Sequence, residues 1–156
     1  MNEFAAKKLG EVLAFSVVGI ETFEKGRKAF ESAFGESKVD EIIGKLSKHR
    51  EIIMHMCEEC NAKGTLLPKL DSTGNKLRSM RDMYVGEEWN NPTELMEWSG
   101  FFEGAAIVHW SLVDGIGEVH ENPDLLELCE DAIYAHKEIL EKAEEYLREV
   151  GKEKGV

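Results

Sequence analysis

Three of the five histidines, His49, His109 and His136, fall on the apolar stripes of three different predicted helices. One carboxylate, Glu103, stands inside the otherwise apolar or small-residue run WSGFFEGAAIVHW (98–110). Imidazole is the commonest side-chain ligand for transition metals. A carboxylate taken out of water needs a partner or a proton. Brought together on facing helices, these residue types can hold a metal ion or form a buried polar network. Glu21, which ends the apolar run VLAFSVVGI, is a further inward candidate, with a solvated helix face as its alternative. The alternative for Glu103 is a carboxylate at a subunit interface, bonded to a hydroxyl or to an arginine such as Arg27. The candidate metal ligands are therefore His49, Glu103, His109, His136 and Glu21. Helix geometry adds a constraint: six positions along a helix turn the side chain by about 120°, so Glu103 and His109 point to neighbouring interiors rather than one.

Four amphipathic helices are needed to carry these residues. The first spans about 3–34, with Leu9, Leu13, Ser16, Ile20, Phe23, Arg27, Phe30 and Phe34 three or four apart, and a kink is expected from Gly10, Gly19 and Gly26. The second spans about 37–60 from a Ser37 cap, through Val39, Ile42, Leu46, His49 and Ile53. Residues 61–91 hold Gly64, Pro68, Gly74 and Gly86 and read as a long crossover, with KLRSMRDMY as a short helix inside it. NNPTE opens the third helix, about 92–120, with Asn91 as its cap and Pro92 at its first position. Asn122 opens the fourth, about 123–150. The reading is all-α: a single domain over 1–156, folded as an antiparallel four-helix bundle with a long crossover between helices 2 and 3.

Composition narrows the partners. A net charge of −12 argues against general binding to nucleic acid or to anionic membranes, which reward basic patches. The uncharged stretch Val12 to Ile20 is too short to span a bilayer. The N-terminal residues lack a signal-peptide pattern, and three cysteines are too few for a disulfide framework, so a cytoplasmic location is expected. CEEC (57–60) is half of a zinc motif and reads as core cysteines. Lys76, Arg78 and Arg81 could meet a phosphate, or could offset the acidic helices around them. Trp98, Phe101, Phe102 and Trp110 leave the third helix apolar on more than one side, beside Gly100 and Gly104. That pattern predicts a homodimer through this helix.

Two stretches look like copies: LSKHREII (46–53) and IYAHKEIL (133–140). The duplication resembles the ferritin-like superfamily, rubrerythrin-like proteins in particular. The resemblance implies a Glu on the first and third helices and a Glu-x-x-His on the second and fourth, together holding two metal ions. Carried over by position, His49 and His136 are the motif histidines, and Glu21 and Glu103 are the other carboxylates. Leu46 and Ile133 stand where each motif has its Glu, so what remains suits one ion of Fe, Mn, Zn or Cu, and no reaction is assigned. Three functions stay open: a metal site in the core, an interaction protein whose core His and Glu are structural, and a small-ligand pocket oriented by Glu103 and His109.

Overall fold

A computed structural model describes residues 1–156. It is all-α, with six helices and no strand: α1 (Glu3–Lys25), α2 (Arg27–Phe34), α3 (Glu36–Glu59), α4 (Lys63–Val85), α5 (Pro92–Val119) and α6 (Pro123–Lys154). No helix is long and apolar enough to cross a membrane.

Local chemistry explains most boundaries. The Asn2, Asn91 and Asn122 side chains accept backbone N–H groups at the starts of α1, α5 and α6, satisfying donors that the first turn leaves without a helical partner. The expected first helix is broken at Gly26, where a Cβ would stand 2.4 Å from Leu95 Cδ1. A side chain there would require the Leu95 side chain to move. Gly35, at φ 87°, separates α2 from α3 and stands in the capping position expected for Ser37.

The largest departure from the sequence reading is α4. Residues 63–85 form one long helix rather than a crossover holding a short one. Leu66, Leu70, Gly74, Leu77, Arg81 and Val85 make its inward stripe at three- and four-residue steps. Gly74 and Arg81 disguise that stripe as polar, and Pro68 suggests a break. Near the helix start, Pro68 forfeits only the bond to Gly64. α4 packs along α1, where a Cβ on Gly10 would lie 2.7 Å from the Leu66 carbonyl oxygen.

The interior divides into two apolar clusters. One contains Phe15, Phe23, Phe30, Leu46, Leu95, Phe102, Ala106 and Ile139. The other contains Leu9, Leu13, Ile53, Cys57, Trp110, Val113, Leu125, Cys129 and Ala132. On α3 the first cluster ends at Leu46 and the second begins at Ile53, and on α6 the second ends at Ala132 and the first resumes at Ile139. His49 and His136 occupy those two gaps.

Candidate functional site

The polar layer between the clusters is built by α3, α5 and α6. His49 and His136 are completely buried and Glu103 is 1% exposed. His136 Nδ1 donates to Glu103 Oε2 at 2.5 Å. His49 Nε2 donates to Asp131 Oδ2 at 2.7 Å. Each ring thus has a carboxylate on one nitrogen. The other nitrogen of each, His49 Nδ1 and His136 Nε2, is buried without a partner. The Trp110 ring meets His49 edge-on at 6.0 Å between centroids, and its N–H is also unpartnered.

The hydrogen bonds have a tautomeric consequence. An ionised carboxylate only accepts, so it fixes the proton on the nitrogen it faces. His49 Nδ1 and His136 Nε2 are then bare in-plane lone pairs inside the protein. Burial pushes the His49 pKa below the ordinary imidazole range; Asp131 opposes that shift, while the neighbouring His136 and Lys45 add to it. The ring therefore stays neutral, and its lone pair open, into mildly acidic conditions.

The other two candidates lie elsewhere. His109 Nδ1 donates to the Ala105 carbonyl of its own helix at 2.7 Å, and its ring packs 4.9 Å from Phe15. Its Nε2 stands 3.9 Å from Glu11, away from the His49–His136 layer. Glu21 faces α4, where Arg78 grips both of its oxygens at 2.8 and 2.9 Å. That grip, despite some burial, holds its carboxyl below the usual range. Arg27, suggested as a partner for Glu103, is instead bonded to Asp40 and Glu31.

Asp131 is the site residue that sequence reasoning missed. Its helix face reads as solvated, and only the antiparallel register of α3 on α6, also fixed by Lys38 with Glu138, brings it to His49. Ser16, by contrast, stands on the inward stripe of the first helix in the sequence. The thirty-three positions between Glu103 and His136, counted back from His49, end on Ser16 rather than Glu21. Ser16 is fully buried and donates to the Val12 carbonyl.

The cysteines add no ligand. Cys57 and Cys129 are buried and Cys60 is exposed. Burial, with some help from Asp114, pushes the Cys129 thiol up to about 12, and burial raises Cys57 too. Both remain thiols near neutral pH, whereas metals take the thiolate. No three His, Cys, Asp or Glu side chains lie in an arrangement that could hold a metal ion. No protein-family model, curated protein or solved structure matches the chain.

Proposed function

We propose that this chain is a ferritin-like helical-bundle protein that binds one transition metal ion in its interior through His49 Nδ1 and His136 Nε2. The observation that carries the reading is that both rings are bonded to a carboxylate on one nitrogen and bare on the other. Metal-ligating histidines characteristically donate their second N–H to a carboxylate or carbonyl, which fixes the tautomer and raises the basicity of the ligating nitrogen. A buried acceptor left unsatisfied costs roughly 1–3 kcal/mol, so filling both lone pairs with one cation removes two such penalties.

The chain offers two imidazole nitrogens, so water or a small ligand would have to complete the coordination of a single ion. This donor set does not fit a bridged pair, because Leu46 and Ile133 offer no carboxylate. Fe, Mn and Zn all accept imidazole nitrogen; a bound ion would supply Lewis acidity, and Fe or Mn a change of oxidation state. The chain's own contribution is to exclude water, orient the rings through Asp131 and Glu103, and keep both nitrogens unprotonated. Elemental analysis of untagged, chelator-free protein should find about one ion per chain, lost in His49→Ala and His136→Ala. No metal after reconstitution with Fe, Mn and Zn salts would overturn the reading and leave the layer as a structural network.

A second reading, a homodimer through α5, has its own support. Phe101, Val108, Leu112 and Val119 form an outward apolar stripe, with Val108 62% and Val119 82% exposed. Gly104 and Gly115 beside it have open space around them. Between Glu97 and Asp114 the helix carries one acid, the buried Glu103, and depletion of charge is characteristic of interface cores. Light scattering should give twice the chain mass, reduced to the monomer by Val108→Glu. A monomeric wild type would exclude this reading.

A further inference from the structure

The outward face of α5 alternates large apolar side chains with glycines in a mirrored order. Phe101, Val108 and Leu112 project from it, while Gly104 and Gly115 have nothing within 4 Å of a Cβ built on either. Counted from Val108, Phe101 stands seven positions towards the helix start and Gly115 seven towards its end. Gly104 and Leu112 stand four positions away on the two sides. Four and seven residues are close to whole turns, so all five share one face. A large side chain on one arm is matched by a glycine at the same distance on the other. The surface around Gly115 is hollow: a groove of about 290 Å³ is lined by Leu112, Gly115, Ile116 and Val119 of α5 and by Phe4 of α1.

We propose that a second copy of this chain docks on this face with its α5 antiparallel, a twofold axis passing by Val108, so that Phe101 of each copy fills the groove beside Gly115 of the other. The inference rests on the dimer reading above and gives it a register. Under that symmetry Val108 meets the partner's Val108, Phe101 meets the partner's Gly115, and Gly104 meets the partner's Leu112. Each large-to-small contact is made twice, which closes the assembly at two copies. Parallel helices would instead set every residue against itself, crowding two Phe101 rings together and leaving the glycine layers as voids without contacts. Projection and hollow sit at mirrored positions of one helix, which is what self-docking requires. Charge agrees. The chain carries −12, and like-charged surfaces repel. From Trp98 to Val113, however, α5 has no Asp, Lys or Arg and one Glu, the buried Glu103. Area agrees as well. The face from Phe101 to Val119 runs about 27 Å at 1.5 Å per residue. With α1 and α6 packed about 10 Å to its sides, it offers about 800 Å² per copy, the size of a standard stable interface. Exposed Tyr84, 5.2 Å from Phe101 between ring centroids, extends the apolar surface at one end, and Phe4 does so at the other.

Cross-linking reads the register. In a Cys60→Ser background, which removes the one exposed thiol, Val108→Cys should be driven to a covalent dimer by oxidised glutathione and run as such on a non-reducing gel. The axis brings the two cysteines face to face, within the short reach of a disulfide. Leu112→Cys should stay uncrosslinked, because the partner's Leu112 lies opposite Gly104, eight positions or about 12 Å along the helix. Gly115→Leu fills the groove while leaving the protomer's own packing alone, since the position is open. It should weaken dimerisation about a hundredfold through the two overpacked contacts it creates, measured by sedimentation equilibrium. Cross-linking of both cysteine variants would mean parallel helices, and cross-linking of neither a different register. A Gly115→Leu protein that dimerises like the wild type would mean an unfilled groove. Each of these, in a chain that is still dimeric, would overturn the proposal. A wild type that sediments as the monomer would overturn the dimer reading beneath it, a different and recognisable failure.

Discussion

Glu21 on α1 and Glu103 on α5 both stand beside apolar helical runs, yet the structure treats them as opposites. Glu21 turns outward to α4, where the two-pronged Arg78 guanidinium closes both of its oxygens and Arg81 lies 3.8 Å away. Arg81 is itself occupied by Asp82, Thr22 and the face of Trp89. Glu103 turns inward to an imidazole that has a second nitrogen to offer. The difference lies in saturation. A guanidinium donates in every direction and accepts nowhere, so the α1–α4 cluster is finished once it is paired. An imidazole bound on one side leaves a lone pair on the other, so the α3–α5–α6 layer is half-finished in the protein alone. Buried polar groups left half-satisfied are costly, and their persistence is an argument for a ligand.

The largest effect that would sharpen this contrast comes from His136→Leu, which strands Glu103 in the core. Removing one partner of a buried pair costs about 3–5 kcal/mol, measurable as a large fall in the urea midpoint. A loss below about 1 kcal/mol would show that Glu103 finds water, and the contrast between the clusters would fail.

His49 provides the next effect, through pH. Burial lowers its folded pKa, so as pH falls through about 6.5 the unfolded chain takes up a proton that the folded ring refuses. Stability attributable to this group is therefore present above that pH and declines towards the lowered folded value. His49→Phe should remove that part of the pH dependence, seen in urea midpoints from neutral to mildly acidic solution. An unchanged profile would mean that the ring ionises freely in place.

The smallest effect belongs to the finished cluster. Arg78→Ala breaks a partly exposed pair, and such pairs contribute at most about 1 kcal/mol. Metal binding should be unaffected. A loss matching that of His136→Leu would erase the distinction between the two regions.

The helical class, the Asn91 and Asn122 starts and the inward direction of His49, Glu103 and His136 were legible because local chemistry and three- to four-residue periodicity encode them. α4 was not, because its stripe contains Gly74 and Arg81, and an arginine buried by Thr22, Trp89 and Asp82 reads as solvent-facing until its partners are known. Asp131 was invisible for a related reason: its role depends on the register between helices far apart in sequence. Glu21 misled because the end of an apolar run does not say which neighbouring helix the next side chain meets. His109 lies on a stripe, yet the carbonyl one turn back already takes its ring N–H.

The central claim, that two bare imidazole nitrogens face the interior, is tested most directly by ¹⁵N-resolved NMR of the histidine rings in metal-free protein near neutral pH. The account predicts His49 as the Nε2–H tautomer and His136 as the Nδ1–H tautomer, each held by its carboxylate. The opposite tautomer on either ring would place a proton where the lone pair is required, and would contradict the account.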